Sequence, residues 1–352
     1  MDLQQAIAAV QPPCEDSREA ARRRFSDIAI PLGSLGLLQD AVAQLAAIQR
    51  TARPSIGKRA VVMFCADNGV VAQGVTQCGQ EVTATVTENM GRGKSTVCLM
   101  AAHIGMDSFP VDIGVARDVE GARILRRKIR CGTADMTKEP AMTREEAVRA
   151  LETGIEMAEW CAAQGYQLVC GGEMGIGNTT TSAAVTAVLT GANVRDVTGR
   201  GAGLSSEGLE RKVRAIETAL KLHQPDPNDP VDILHKVGGL DIAGMAGFYL
   251  GAAACGLPVV LDGVISCAAA LIAVRLCPAV RDYLIAAHQS AEPAGKLLLE
   301  ALGYTPFISA GMRLGEGTGA VAAVAMIDLV LAAYDGMPSF DEAGIEAYQP
   351  LT

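Results

Sequence analysis

Two glutamates set among glycines are the residues of this chain best placed to do chemistry. Glu173 lies in the segment 172–180 and Glu316 in the segment 313–319, and each segment opens a long apolar pattern of helical spacing. Glycines let a ligand approach the backbone closely and let N–H groups turn toward an anion. A carboxylate held among them can therefore transfer a proton beside a substrate that carries a phosphate.

Two glycine-rich segments could bind such a phosphate. Residues 177–181 combine a glycine, an asparagine and three threonines at the start of a predicted helix, where N–H groups and the helix dipole favour an anion. Residues 198–204 are a second candidate and precede a predicted helix that carries Lys212. An ordinary capped helix start is the alternative for the first segment, although its threonines and glycines favour a phosphate site. A flexible surface loop fits the second segment equally well.

The sequence does not match two better-known nucleotide-binding motifs, the Walker A motif and the dinucleotide-binding glycine fingerprint. Residues 91–96 end like a Walker A sequence, but Glu88 occupies the position of its required first glycine, and a helical pattern precedes it. The first predicted strand ends in the Asp-Asn-Gly segment 67–69, which lacks the glycine fingerprint of a dinucleotide-binding domain. These departures argue against a P-loop enzyme and against an NAD-dependent dehydrogenase, although the latter stays an alternative.

The composition limits the function further. Of the 352 residues, 49% are hydrophobic but only 4% are aromatic, which predicts a large core of small aliphatic side chains. The net charge of -9 argues against binding to nucleic acid, and the basic segment 123–130 is short enough to be a solvated face. The ten cysteines have no C-x-x-C spacing, and no histidine pair has zinc-ligand spacing. We therefore expect free thiols in a reducing cytoplasm and no metal.

One segment, 242–261, is uncharged and long enough to span a bilayer. Its glycines and Pro258 divide it into a small-residue helix at 242–255, a turn, and a buried strand at 259–261. The N-terminus has no basic region followed by a long apolar one, so we expect no signal peptide. The sequence thus predicts a cytoplasmic protein without a membrane span.

Short apolar runs alternate with long helical patterns along the chain. The runs predicted as strands are 60–65, 109–113, 167–170, 258–261 and 306–309. The alternation predicts a parallel sheet flanked by helices, a Rossmann-like α/β fold, in which ligands bind beyond the carboxyl ends of the strands. The helical ends predict a small helical domain formed from both termini. We expect a large catalytic domain at 55–310 and a small domain at 1–54 and 311–352.

The chain resembles the nicotinate-nucleotide–dimethylbenzimidazole phosphoribosyltransferases, the CobT family, over nearly its whole length. The matching motifs lie in the family's order at residues 30–36, 66–70, 74–76, 81–83, 172–181, 198–201, 261–263, 288–290 and 313–319. The resemblance implies transfer of phosphoribose from nicotinate mononucleotide to 5,6-dimethylbenzimidazole or a related base. The products would be nicotinate and α-ribazole 5′-phosphate, for cobalamin lower-ligand synthesis. The resemblance also implies a homodimer and no cofactor.

The same resemblance assigns roles to individual residues. Glu316 is the general base, and Glu173 orients the substrate or supports the base. The nucleotide and its phosphate are expected at Gly175, Ile176, Gly177, Asn178, Thr179, Gly201, Gly203, Lys212, Asp262 and Ser290. The incoming base is expected at Val75, Thr76, Gln80, Met174, Leu314 and Gly315.

Four positions depart from the usual pattern of the family. Asn68 stands where a histidine is usual, and Thr76 and Gly79 stand where a serine and then a proline are usual. Lys94 lies in a segment more basic than we expect of the family. Because the loop with Thr76 helps to shape the base pocket, the sequence leaves the preferred base open.

Two further classes of protein compete with this interpretation. A transferase that uses phosphoribosyl pyrophosphate would need a paired-acidic loop for the ribose phosphate and Mg²⁺, whereas only Asp262 follows its strand. A partner-binding protein without activity would not need to retain both Glu173 and Glu316.

Overall fold

A six-stranded parallel sheet forms the centre of the computed structural model, which describes residues 1–349. The strands are β1 (Arg59–Ala66), β2 (Asp107–Gly114), β3 (Leu125–Arg126), β4 (Leu168–Met174), β5 (Val259–Leu261) and β6 (Leu284–Ala286). They lie in the order β3-β2-β1-β4-β5-β6, and every adjacent pair is parallel. The strand order reverses between β1 and β4, which is the topological switch point where such sheets bind ligands. The predicted α/β fold is confirmed.

Four of the five predicted strands are confirmed, as β1, β2, β4 and β5. The prediction of a strand at 306–309 is wrong, because Ile308 makes only an isolated bridge to His288. Pro306 has no N–H to donate, and β6 occupies the place beside β5. Sequence reasoning missed β6 and β3 because segments of three and two residues are too short to show a periodic pattern.

Helices cover both faces of this sheet. The α-helices are α1 (Leu3–Ala9), α2 (Glu15–Asp27), α3 (Leu37–Gln49), α4 (Glu81–Gly91), α5 (Thr96–His103), α6 (Arg144–Ala163), α7 (Asn178–Thr190), α8 (Val194–Val197), α9 (Ser206–His223), α10 (Pro230–Val237), α11 (Leu240–Ala254), α12 (Val264–Leu276), α13 (Ala294–Leu302), α14 (Thr318–Gly336) and α15 (Phe340–Ala343). Two 3₁₀ helices, Gly69–Gln73 and Pro278–Tyr283, complete the set for the described residues.

Alternate residues of β1 face two separate hydrophobic cores. Val62 and Phe64 belong to the core that includes α6 and α11, whereas Val61 and Met63 belong to the core that includes α3, α5 and α14. Successive side chains of a strand point to opposite faces, and a sheet covered on both faces needs apolar residues at every position. That requirement explains why seven successive residues of β1, from position 60 to position 66, are buried.

The uncharged segment 242–261 is confirmed as a core segment. It forms most of the buried helix α11, a turn and the buried strand β5. Within the described part of the chain, α14 is the one helix that is long and apolar enough to cross a membrane. However, α14 packs against α3 and α5 and contacts β4 and β5, which is the position of a core helix. Its length and composition are therefore weak evidence for a membrane span.

The two ends of the chain pack against different helices. Helix α1 contacts α6 and α11, whereas α2 contacts α3, and α3 contacts α14. The division into a domain at 55–310 and a small domain from the termini stays a prediction. Residues 350–352 of that small domain lie outside the described residues.

All ten cysteines are free thiols, and most of them are buried. Within residues 1–349, no group of three or more His, Cys, Asp or Glu side chains is arranged to hold a metal ion.

Candidate functional site

A cavity of about 400 Å³ opens at the switch point of the sheet. Its walls are formed by the end of β4 and the start of α7, by loop 200–204, by the start of α12 after β5, and by segment 313–316. These walls are carboxyl ends of strands and amino ends of helices, where backbone N–H groups lack partners within their own element. The cavity can therefore offer many donors to an anionic ligand.

The structure brings almost all of the predicted site residues together around this cavity. Those that line it are Glu173, Met174, Gly175, Ile176, Gly177, Asn178, Thr179, Gly201, Gly203, Asp262, Ser290, Val75, Thr76, Leu314, Gly315 and Glu316. Two predicted residues lie behind the lining. Lys212 reaches it through the hydroxyl of Thr179, and Gln80 donates to the carbonyl oxygen of Asn68 at 3.3 Å.

Glu316 has a backbone conformation that is rare for a residue with a side chain. Its φ of 62° lies in the left-handed region. The two neighbouring residues, Gly315 with a φ of 88° and Gly317 with a φ of 97°, also have positive φ values. Such a conformation costs roughly 1–3 kcal/mol and persists only where surrounding contacts enforce it. Here the N–H of Glu316 donates to Oε1 of Glu173 at 3.3 Å. The strained turn therefore places the two glutamates next to each other.

The side chain of Glu316 is also held. Its Oε2 accepts a hydrogen bond from the backbone N–H of Val97 at 3.2 Å, in the first turn of α5. Partial burial raises the pKa of this carboxyl, whereas the donors at Val97 and Ser95 lower it. The carboxylate is thus shielded from water yet anchored, which suits a group that must accept a proton.

Glu173 belongs to a buried network of two carboxyls and one amide. The amide nitrogen of Asn178 donates to Oε2 of Glu173 and, at 3.0 Å, to Oδ2 of Asp241. Burial, followed by the neighbouring charge of Asp241, raises the pKa of Glu173 to about 8. Burial also raises the pKa of Asp241 to about 6. The raised pKa favours the protonated form of Glu173 at neutral pH, and its Oε1 accepts the backbone N–H of Glu316.

Asp262 holds the segment that follows Glu316. Its Oδ1 accepts from the N–H of Gly319 at 2.7 Å and of Ala320 at 3.3 Å, and its Oδ2 accepts from Gly317 at 3.1 Å. A carboxylate at the amino end of α14 is favoured by the helix dipole. Asp262 lines the cavity as predicted, but both of its oxygens already have partners in this turn. Its expected contact with the nucleotide stays a prediction.

The other end of the cavity is suited to a phosphate. The ammonium of Lys212 donates to Oγ1 of Thr179 at 2.7 Å and to the carbonyl oxygen of Gly199 at 3.1 Å. Lys212 is fully buried, and this burial lowers its pKa to about 8. Gly201 has a φ of 53°, and a Cβ there would lie 2.9 Å from Oγ1 of Thr179, so this close approach requires glycine.

Comparison with known proteins identifies the family. A family model described as phosphoribosyltransferase matches residues 10–345. The nicotinate-nucleotide–dimethylbenzimidazole phosphoribosyltransferase of Acetivibrio thermocellus is 45% identical over 348 residues, which cover 99% of both chains. The protein of the same name from Ruminiclostridium cellulolyticum is 44% identical over 351 residues, with both chains fully covered. The chain belongs to this family.

Solved structures agree with this assignment. The crystal structure of CobT from Thermus thermophilus superposes with a TM-score of 0.89 at 40% identity, covering 95% of this chain and 100% of that one. This chain is therefore an enzyme of the phosphoribosyltransferase class, as the resemblance implied. The comparisons do not favour the dehydrogenase alternative.

Sequence reasoning missed several residues that shape the site of this phosphoribosyltransferase. Asp241 and Val97 lie in segments with no unusual local pattern, and they reach a glutamate only through the fold, Val97 directly and Asp241 through Asn178. Other lining residues were not among the predicted site residues, namely Gln77, Cys78, Val86, Arg200, Ala202, Leu204, Gly263, Val264, Ile265, Ser266, His288, Glu292 and Arg313. For Arg200 and Arg313 a signal existed, because both lie inside the glycine-rich segments.

Proposed function

We propose that this phosphoribosyltransferase moves phosphoribose from nicotinate mononucleotide to 5,6-dimethylbenzimidazole or a related base. The products are nicotinate and α-ribazole 5′-phosphate, the precursor of the cobalamin lower ligand. One observation carries the proposal: the carboxylate of Glu316 and the phosphate-suited end with Thr179 and Gly201 face the same cavity. The names of the relatives support the same pair of substrates.

In this proposal, the phosphate of nicotinate mononucleotide binds at the amino end of α7. Gly175, Gly177 and Thr179 supply backbone or hydroxyl donors, and the loop of Gly201 and Gly203 closes over the phosphate. Ile176 lines the same turn, but its N–H already donates to Oγ1 of Thr83 at 3.0 Å. Lys212 supplies the positive charge from behind Thr179, and Ser290, which also lines the cavity, contacts the ribose or phosphate. Asn178 orients Glu173 from the same turn.

The reaction is a substitution at C1′ of the ribose. The incoming base forms a bond from its unprotonated ring nitrogen to C1′, on the face opposite nicotinate. The bond from C1′ to the pyridinium nitrogen breaks, and its electron pair stays with nicotinate, which therefore needs no proton. The linkage changes from β to α. As the new bond forms, the other ring N–H of the base becomes acidic, and Glu316 accepts its proton.

The incoming base binds beside Glu316. Val75, Thr76, Met174, Leu314 and Gly315, which line the cavity, are the residues we propose for the base. Their mainly apolar surfaces suit a flat aromatic base, which gains stability when its faces leave water. Gln80 acts behind them, through Asn68, on the shape of the pocket.

We further propose a cytoplasmic homodimer that works without a cofactor. The ten free thiols fit a reducing compartment. Sedimentation of the purified protein tests the oligomeric state, because a homodimer has twice the 36.5 kDa of one chain. A single species at the monomer mass, at enzyme concentrations that support turnover, contradicts the homodimer.

The direct test of function is incubation with nicotinate mononucleotide and a panel of bases, without added metal. Chromatography follows nicotinate and the ribotide with 5,6-dimethylbenzimidazole, benzimidazole, adenine and a phenol. We expect equimolar nicotinate and α-ribotide with at least the benzimidazoles. A parallel reaction with phosphoribosyl pyrophosphate and Mg²⁺ tests the competing donor. Release of no nicotinate with any base, together with product from phosphoribosyl pyrophosphate, overturns the proposal.

A further inference from the structure

The loop 74–78, which we call the strap, lies between the first 3₁₀ helix and α4 and carries two residues proposed for the base. One of them, Val75, is 1% exposed and belongs to the core that includes α6 and α11. The hydroxyl of the other, Thr76, donates to the carbonyl oxygen of Cys78 at 2.7 Å, which closes the loop on itself. The strap therefore has a buried anchor and a defined turn.

Gln77 joins the strap to the loop proposed for the phosphate. Its Nε2 donates to the carbonyl oxygen of Gly203, and both residues line the cavity. Gly203 has a φ of 107°, and a Cβ there would lie 3.0 Å from Nε2 of Gln77, so this approach favours glycine. One side-chain amide thus connects residues proposed for the base with residues proposed for the nucleotide.

Helix α9 makes a second connection between the same two parts of the site. Nε of Arg211 donates to the carbonyl oxygen of Gly74 at 3.2 Å, at the start of the strap. The next residue, Lys212, donates to Oγ1 of Thr179 at the phosphate-suited end of the cavity. The strap is therefore tied at two points to elements that surround the proposed phosphate site.

Loop 200–204 forms a turn whose shape a phosphate can fix. The N–H groups of Gly203 and Leu204 donate to the carbonyl oxygen of Arg200 at 3.1 and 3.0 Å. The N–H groups of Gly201 and Ala202 make no hydrogen bond to the part of the chain that the structure describes, and both residues line the cavity. A phosphate that accepts from these two groups fixes the turn, and with it the carbonyl oxygen that holds Gln77.

We infer that Gln77 is a positioning residue that couples the two substrates, because a phosphate bound at the turn also holds the strap in the form that binds the base. This inference rests on the proposed function, which places the phosphate at this turn. Gln77 is exposed, so water competes for its amide unless Gly203 is held in place. One hydrogen bond of this kind corresponds to a factor of about three to ten in affinity. By thermodynamic linkage, the base strengthens the binding of the nucleotide by the same factor.

Calorimetry measures this coupling with 5,6-dimethylbenzimidazole and ribose 5-phosphate, which carries the phosphate but has no nicotinate to release and so gives no turnover. In the wild type, saturating ribose 5-phosphate should tighten the binding of the base by about three- to tenfold. Gln77→Met keeps the length of the side chain but has no donor, so this factor should fall to about one. At saturating nicotinate mononucleotide, KM for the base should rise by the same factor in this variant, whereas kcat changes less.

A matched control separates this effect from the loss of any glutamine contact. Nε2 of Gln44 donates to the carbonyl oxygen of Asp282 in the second 3₁₀ helix, and neither residue lines the cavity. Gln44→Met should leave both the coupling factor and KM for the base unchanged. An equal factor, or an equal KM for the base, in the wild type and Gln77→Met overturns the inference. If that result accompanies turnover of nicotinate mononucleotide, only this inference fails, whereas a wild type that releases no nicotinate with any base refutes the proposed function itself.

Discussion

Among single residues, Glu316 depends on partners from three separate segments. Glu173 holds its backbone N–H, Asp262 holds the N–H of the next residue, and Val97 holds its side chain. A Cβ added to Gly172 would lie 2.3 Å from the carbonyl oxygen of Glu316. The backbone of β4 therefore lies directly against the backbone of Glu316. These contacts explain how the left-handed conformation of Glu316 is maintained.

Glu316→Gln tests the proposed base. The amide keeps the size of the side chain and its acceptor oxygen for Val97, but it cannot take the proton of the incoming base. We expect kcat to fall by about 10²–10⁴-fold, while calorimetry shows unchanged binding of nicotinate mononucleotide. A kcat near that of the wild type would exclude Glu316 as the general base.

Lys212→Met tests the proposed phosphate site. Methionine fills most of the buried volume but removes the charge beside Thr179. A hydrogen bond to a charged group contributes about 1.5–3 kcal/mol, so KM for nicotinate mononucleotide should rise by about 10- to 100-fold. Because burial lowers the pKa of Lys212 to about 8, the wild-type KM should also rise above pH 8, and the variant should lack that rise.

The control for this measurement lies on the same helix. Lys221 of α9 is exposed, and Lys221→Met should leave KM unchanged. Equal effects of the two variants would show that the buried ammonium does not bind the phosphate.

Among the secondary structure elements, α6 and α11 pack so closely that small residues are required between them. Helices α6 and α11 approach each other through glycines. A Cβ on Gly154 would lie 2.0 Å from the carbonyl oxygen of Gly244, and one on Gly247 would lie 1.9 Å from that of Leu151. This contact fixes α11 against the sheet, and α11 begins with the residues that place Asp241 beside Asn178.

Gly247→Ala tests this contact between helices. The added methyl group must push the two backbones apart, and overpacking of this kind typically costs about 1–3 kcal/mol. We expect a lower urea midpoint for unfolding. Gly336→Ala is the comparison, since nothing lies within 4 Å of a Cβ at Gly336, the last residue of α14. That variant should match or exceed the wild-type midpoint, and equal losses in both would contradict close packing as the cause.

For the molecule as a whole, the buried carboxyls of the site affect stability. Burial raises the pKa of Glu173 from 4.5 to about 8 and that of Asp241 from 3.8 to about 6. A carboxyl with a raised pKa contributes its full stability below its unfolded pKa, and this contribution is lost as pH rises through the folded pKa. The buried carboxyls of Glu173 and Asp241 therefore lower the stability of the fold in mildly alkaline solution.

Glu173→Gln should accordingly stabilise the fold in a pH-dependent manner. Thermal unfolding should show little change in Tm at pH 4 and an increase at pH 9. At pH 9 the buried carboxyl of the wild type must either carry a charge or hold a proton that the unfolded chain would release, whereas glutamine does neither. Each kcal/mol relieved is worth about 2–4 °C in domains of 150–250 residues. Glu342→Gln is the control, since hydrogen bonds from Ser339 lower the pKa of Glu342, and its neutralisation should give no increase at pH 9. A Tm difference for Glu173→Gln that does not vary with pH would refute the linkage.

Local sequence patterns were enough to establish the type of fold and the glycine-rich segments of the site. Hydrophobic periodicity distinguishes strands from helices, and glycine marks sharp turns wherever it occurs. Four strands and the buried helix at 242–255 follow from such patterns, whereas the resemblance to the family supplied most of the predicted lining residues. The prediction failed where local pattern is weak, as in the three residues of β6.

The hydrogen bonds that join the site residues became known only from the three-dimensional arrangement. Glu173 and Glu316 are 143 positions apart, and Val97 and Glu316 are 219 positions apart, yet each pair shares a hydrogen bond. No periodic signal carries information over such separations, because these contacts depend on strand order and on the approach of α5 and α14 to the same edge of the sheet. The fold itself supplies the partners that orient the two glutamates and shift their pKa values.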